Sequence, residues 1–177
     1  MNARITLSPV TPDDIDFITD LESNASLWPF EDMLPTDKEA VRKTVAERIH
    51  SDWHRQFLIR LATPEATPVG EVHIHWYIKR ARELGAGLQP FSLNTGGQGY
   101  CTEAAQLALK LAFKECKAHK VVAMCNEYNT SSIKVLDRLG MVREGVFREE
   151  IHWNNQWVNQ YFYAILDREY QAITGIR

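Results

Sequence analysis

The chain has 177 residues, 45% of them hydrophobic and 24% charged, with a net charge of −3. That balance suits one globular domain spanning residues 1–177 and argues against a disordered tract. There is no basic excess to suggest a nucleic-acid surface, and no apolar run approaches the roughly 20 residues that cross a bilayer, so no nucleic-acid or membrane partner is expected and a cytoplasmic location is the default. Cys101, Cys116 and Cys125 lack Cys-x-x-Cys spacing, which argues against a disulfide framework and structural zinc.

Arg4 to Val10 alternates apolar and polar residues and reads as a first strand. Thr11-Pro12-Asp13-Asp14 supplies a cap, a proline at the first helical position and an acid at the third, opening a helix that buries Ile15, Ile18 and Leu21. A loop of large residues follows (Leu27, Trp28, Pro29, Phe30, Met33, Leu34, Pro35), a composition that suits either a binding wall or a cover for the core. Thr36-Asp37-Lys38-Glu39 reads as a capping box for a second helix with Val41, Val45 and Ile49 inside. Strands are then expected over Gln56 to Ala62, Val69 to Ile78 and Arg82 to Leu88, forming a three-stranded antiparallel meander.

Asn94-Thr95-Gly96-Gly97-Gln98-Gly99 is a glycine-rich turn that leads into a third helix with Ala104, Leu107, Ala108, Leu111 and Ala112 on its inner face, ending near Lys117. Glycines at a sharp bend, followed by the free N–H groups of a helix start, form a cradle for anionic oxygens. No lysine follows, as a phosphate-loop NTPase requires, and Thr102 stands where a dinucleotide fingerprint has its third glycine. Lys120 to Cys125 is a near-continuous apolar run, as in a strand covered on both faces. A fourth helix is expected from Thr130 to Leu139, stopping at Gly140. Val142 to Trp153 and Trp157 to Leu166 then close the chain as a hairpin. The order predicts an α/β fold: a single mixed, mostly antiparallel central sheet with helices on both faces. Asn129 and Ser132 lie at the start of the fourth helix, so one strand end carries an anion-holding turn and a neighbouring one carries Asn-x-x-Ser, with a crevice between.

On these residues, together with Val69-Gly70-Glu71, Leu139-Gly140-Met141, Arg143 to Arg148 and Tyr161 to Leu166, the chain resembles the GNAT superfamily of acyl-CoA-dependent N-acetyltransferases. It looks most like the branch of RimJ/RimL-type ribosomal-protein N-terminal acetyltransferases, and it is also similar to spermidine acetyltransferases. The resemblance implies the GNAT (acyl-CoA N-acyltransferase) fold and acetyl-CoA as cosubstrate, without a metal. It implies an acceptor amine on a small molecule, such as a polyamine, or on a protein N-terminus. The N–H groups of Gly97, Gln98, Gly99, Tyr100, Cys101 and Thr102 would hold the pyrophosphate, Asn129 the pantetheine arm, and Ser132 would lie near the sulfur. Three positions depart from the family pattern: Asn94 stands for Gln or Arg, Leu136 for a tyrosine acid, and Asn159 for an acid in the last strand. The departure at Leu136 makes Ser132 or a water the candidate proton donor to the thiolate.

An alkylammonium with a pKa near 10 must lose a proton before it attacks, so a base is sought. Glu83 is the first candidate, Glu149 and Glu150 follow, then Glu71; each reads alternatively as a solvated strand-face charge. Cys101 beside a helix start invites a thiolate, but a nucleophilic cysteine wants a histidine partner and His119 lies at the far end of the same helix, so direct transfer is preferred. His73-x-His75 places two imidazoles on one strand face, a pair without a third metal ligand at sensible spacing. Asp13, Asp14, Asp16, Asp20, Glu22, Glu31 and Asp32 read as a solvated face or as an acidic rim for a cationic acceptor, and Trp28, Phe30, Trp153 and Trp157 could frame that cleft. The rival function is a non-catalytic acyl-CoA sensor of the same fold. Homodimerisation is left open.

Overall fold

The computed structural model describes residues 3–31, 37–79, 82–90 and 98–175, and over 83–90 the backbone alone. Asn94, Gly96, Gly97, Asp32, Met33, Leu34, Pro35 and Thr36, and the side chain of Glu83, lie outside what is described. The strands are β1 (Ile5–Pro9), β2 (His54–Leu61), β3 (Pro68–Ile78), β4 (Glu83–Pro90), β5 (Lys120–Asn126), β6 (Val142–Trp153) and β7 (Gln156–Leu166). The helices are α1 (Ile15–Glu22), α2 (Lys38–Ile49), α3 (Tyr100–Lys114), α4 (Thr130–Arg138) and α5 (Asp167–Thr174). One seven-stranded sheet takes the order β1-β2-β3-β4-β5-β7-β6. Every pairing is antiparallel except β4 with β5.

The expected meander gains a strand, because β1 pairs antiparallel with β2 and makes it four-stranded. A turn of 3-10 helix over Pro12–Asp14 precedes α1, and the Asp14 carboxylate accepts from the Thr11 N–H at 2.9 Å and its hydroxyl at 2.8 Å. At α2 the cap is Asp37 rather than Thr36: its carboxylate accepts from the N–H groups of Glu39 and Ala40. The β6–β7 hairpin turns at Asn154 and Asn155, both with positive φ, the geometry of a two-residue turn that matches strand twist. α5 was not expected from the sequence. Glu169 opens it by accepting from the Leu166 N–H at 2.9 Å, and Tyr170 stacks on Phe113 of α3 at 4.7 Å.

Two layers of helix cover the sheet. Leu58 of β2 joins Ile18, Val41 and Val45 under α1 and α2. On the opposite face Phe57, Ile59, Val72 and Ile74 pack against Ala104 and Ala108 of α3. Further along that face Val121, Ala123 and Cys125 of β5 pack with Ala105, Leu109 and Leu136. The buried stripe of α3 therefore runs through Ala105 and Leu109, while Leu107 and Leu111 are only half-buried, and the helix ends three residues before Lys117.

Candidate active site

The parallel pairing of β4 and β5 is short. Glu83, Leu84 and Gly85 pair with Lys120, Val121 and Val122, and there it stops. β4 continues to Pro90 on β3, and β5 continues to Asn126 on β7, so from Ala86 and Ala123 onward the two strands part. α3 follows β4 and α4 follows β5. The gap therefore opens toward two helix N-termini, at the carboxyl ends of the strands, where open α/β sheets hold ligands.

The two helix starts differ. At α4 the Asn129 side chain accepts from the Ser132 N–H at 3.0 Å, which leaves the half-buried Ser132 in the first helical turn. At α3 the N-cap is Gly99, left-handed at φ +82, with no side chain to cap with. The first helical bond runs from the Glu103 N–H to the Gly99 carbonyl at 3.1 Å. The N–H groups of Tyr100, Cys101 and Thr102 thus precede the first intrahelical donor, and the helix dipole places positive potential among them. This is a fit for a diphosphate.

Arg4 braces the turn, a role the sequence does not signal because its partners lie more than ninety positions away. Its Nη1 donates to the Gln98 carbonyl at 2.9 Å, its Nε and backbone N–H donate to the two Glu103 oxygens at 3.0 Å each, and its guanidinium lies 5.0 Å from the Tyr100 ring. The Gln98 carbonyl is held by this bond, and a cation is added beside the helix start. Cys101 is not a thiolate here, because burial pushes its thiol up to about 11. Desolvation outweighs the helix start, which removes the chemical basis for a cysteine nucleophile.

An aromatic group gathers where the loop after α1 meets the β6–β7 hairpin. Phe30 and Tyr128 flank the Trp153 ring at centroid distances of 5.7 and 5.4 Å, and the Trp153 indole N–H donates to the Pro29 carbonyl at 2.8 Å. Asn126, at the end of β5, donates to the Phe30 carbonyl at 3.3 Å. The loop after α1 is thereby fastened to the β6–β7 hairpin and to the end of β5. Trp157 does not belong to this frame: it pairs with His152, on the opposite face from Trp153, and is 62% exposed. Trp28 turns away as well, donating to the Leu21 carbonyl at 3.2 Å.

The acids named from the sequence are scattered. Glu83 begins β4 beside Lys120, at the closed end of the gap. Glu149 and Glu150 are exposed on the edge strand β6, inside an irregularity between Phe147 and Ile151, with Glu149 at φ +53. Asn159, in the place of a family acid, is a bracket: its N–H and side-chain amide donate to the two Glu127 oxygens at 2.7 and 3.0 Å, and its carbonyl oxygen Oδ1 accepts from the Glu149 N–H at 3.1 Å. The acids of α1 and its approach are largely paired, Asp14 with Arg60, Asp20 with Lys38, Glu22 with Arg48 and Asp16 with Arg42, which reduces the free charge available to an acidic rim. Leu136 is a core residue at 5% exposure, so its place holds packing rather than an acid.

Glu71 is 1% exposed, which overturns its reading as a solvated charge. It accepts from the Gln56 side-chain amide, which also donates to Glu22 at 3.1 Å, and Glu22 holds Arg48 at 2.5 Å. Burial first, then the facing Glu22, raises the Glu71 carboxyl to about 8. The same row carries His54, His73 and His75, three imidazoles in mutual contact. The sequence singles out Glu71, His73 and His75 but not Gln56 and His54 or the burial of this row, because the alternation of β3 reads as one polar, solvated face. Its signal was the company of Gln56 and Glu71 on paired strands that both prove to be covered by helices.

A family model described as an acetyltransferase (GNAT) domain matches residues 4–142. The chain belongs to the GNAT acetyltransferase family. Among curated relatives, an uncharacterized N-acetyltransferase of Bacillus subtilis, YnaD, is 41% identical over 80 residues, which is 45% of this chain and 47% of that one. The chain therefore spans about half the length of this relative in that match. A putative ribosomal N-acetyltransferase of the same organism, YdaF, is 22% identical over 97% of this chain and 96% of its own. Among solved structures, a spermidine N-acetyltransferase from Vibrio cholerae in complex with CoA and spermine superposes with a TM-score of 0.86 at 20% identity, covering 96% of this chain and 99% of that one. This GNAT acetyltransferase accordingly has the expected fold. Among the described residues, no group of three or more His, Cys, Asp or Glu is placed to hold a metal ion, and no helix is long and apolar enough to cross a membrane.

Proposed function

We propose that this GNAT acetyltransferase moves the acetyl group of acetyl-CoA directly to a primary amine, carried by a small molecule such as a polyamine or by a protein N-terminus. The observation that carries this reading is the gap between β4 and β5, flanked by an uncapped α3 start on one side and α4 on the other. The N–H groups of Gly99, Tyr100, Cys101 and Thr102 are the donors for the pyrophosphate, with Gly97 and Gln98 completing the turn in the sequence. Asn129 keeps its amide N–H₂ for the pantetheine arm while its oxygen caps α4, and Ser132 in the first turn of α4 is the group to protonate the departing thiolate. Orienting thioester and amine in one gap accounts for most of the rate, since effective molarities can reach about 10⁵ M or more. Spermidine, in the name of one relative, is a polyamine with primary amines, and another relative is named a putative ribosomal N-acetyltransferase, which supports the acceptor class.

The test is thiol release from acetyl-CoA against a panel of primary amines, including spermidine and short peptides with free N-termini. Amine-dependent release is expected. CoA binding with no release on any amine would sink the transferase reading.

A further inference from the structure

The imidazole cluster on β2 and β3 lies beside the gap. His54 and His75 are register partners, and His73 stands two residues further along β3. The ring centroids are 4.9 Å apart for His54 and His73, 6.0 Å for His54 and His75, and 5.9 Å for His73 and His75. His75 pairs with Gly85 of β4, the last residue of β4 bonded to β5, and His73 pairs with Gly87, the first position on that face beyond the bonded stretch. Directly paired residues share a sheet face, and both β4 partners are glycines, so no β4 side chain at those levels separates the imidazoles from the parting strands. Among the described residues, His73 Nδ1 and His54 Nε2 are buried with no hydrogen-bond partner. Buried polar atoms are seldom left unpaired, so two on neighbouring rings mark a place for an incoming donor.

We propose that His54, His73 and His75 form the amine-receiving wall of the acceptor site, with the unpartnered nitrogen of His73 accepting the proton that a primary ammonium gives up before it attacks the thioester. The inference rests on the acetyltransferase reading. The ammonium transfers one proton to His73, its freed lone pair forms the C–N bond, and the C–S bond breaks with its electrons on sulfur. Of the proton on His73 and the second N–H proton, one goes to the thiolate and one leaves through the other imidazoles to water. The groups facing the cluster are Arg48 from α2, Glu22 from α1, Gln56 from β2 and Glu71 from β3, and the Arg48 charge is matched by Glu22. Burial holds His73 at about 3 and His54 at about 4, each lowered further by neighbouring charge, so the rings are neutral acceptors at working pH. The same desolvation disfavours an incoming ammonium and offsets much of the imidazole's weakened basicity.

The experiment is steady-state kinetics of His73→Gln with spermidine, n-propylamine and an Ala-Ala-Ala peptide between pH 7 and pH 10, alongside CoA affinity. At pH 7 kcat should fall about 100-fold, while CoA affinity stays unchanged and certifies the fold. The deficit should shrink as pH approaches the amine's own pKa, near 10 for spermidine and n-propylamine and about 8 for the peptide, because the acceptor then arrives neutral. A deficit constant with pH, or none, overturns the proposal. Should the variant fail to fold, wild-type enzyme labelled in its histidine nitrogens provides the second readout. Adding n-propylamine to the CoA complex should move the His73 ring resonances, and unmoved resonances overturn the assignment. Wild-type protein that binds CoA but acetylates none of the probes removes the transferase reading itself, an outcome distinct from wild-type turnover with an indifferent His73→Gln.

Discussion

Replacing Glu71 by glutamine should change how stability depends on pH, and the direction follows from which state holds the proton. The native carboxyl, buried and facing Glu22, keeps its proton up to about pH 8, whereas the unfolded one releases it near 4.5. Across that interval the native state binds more protons than the unfolded one, so stability falls as pH rises and levels off above about 8. His73 and His54, lowered to about 3 and about 4 from 6.5, act in the opposite sense: unfolding exposes rings that bind protons, so stability rises with pH up to 6.5. His75, also lowered by burial, acts in the same sense, and these three rising contributions against one falling contribution place the stability maximum close to pH 6.5, above which Glu71 dominates. One proton over the one-and-a-half-unit interval from 6.5 to about 8 is worth about 2 kcal/mol, or roughly 4–8 °C in Tm for a chain of this length. The side-chain carbonyl introduced by Glu71→Gln can still accept from Gln56, so the network survives while its titration vanishes. Calorimetry at half-unit pH steps should show the wild-type decline and a flat profile for the variant over the same interval. An equal decline in both proteins would refute the linkage and with it the placement of a protonated carboxyl beneath α1 and α2.

Arg4→Ala removes the brace on the Gln98 carbonyl and the partner of Glu103, and charge-assisted bonds of this kind carry about 1.5–3 kcal/mol. The KM for acetyl-CoA should rise by about tenfold or more with kcat nearly unchanged, and an unchanged KM would reduce Arg4 to a surface contact. Gly99→Ala puts a Cβ only 3.5 Å from Arg4 Nη2, an ordinary contact, so its cost is the left-handed backbone, about 1–2 kcal/mol. Urea titration should find that loss, together with weaker CoA binding. Leu136→Tyr, which installs the acid that the family resemblance leads one to expect, should not raise turnover here. It overpacks a site lined by Ala105, Leu109, Ala123 and Met141 and should cost about 1–3 kcal/mol; a gain in kcat would show that the side chain escapes toward the gap.

Local chemistry made most of the fold legible. Alternation located the strands, Asp14 and Gly140 marked helix ends, and the apolar run of β5 announced a strand covered on both faces. α5 escaped because Asp167–Thr174 is short and mostly exposed, with Tyr170 as its one buried residue, too little for a periodic signal. The uncapped start of α3 was legible because Gly99 and the helix it opens are neighbours in sequence. Arg4 was not, since a side chain recruited across the sheet leaves no local trace. The burial of the polar row was missed for a subtler reason: alternation reports that a strand has two unlike faces, without saying whether the polar one meets water or a helix.

That row changes how the two halves of the site are tied together. β3 is covered on both sides: Val72 and Ile74 seat α3, whose N-terminus is uncapped, while Glu71, His73 and His75 share the opposite face with Gln56 and Leu58. One strand therefore ties the α3 start to one face and, on the proposed reading, the acceptor wall to the other, with the parting of β4 from β5 between them. A slip of one residue in the β2–β3 register would exchange the two faces and lose both at once. The buried Gln56–Glu71 bond favours the observed register, because a slipped pairing would leave a carboxyl and an amide without partners in an apolar layer. The desolvation cost of these polar groups is offset in part by the bonds they make to one another, and on the proposed reading the register they fix sets the relative placement of the two substrates.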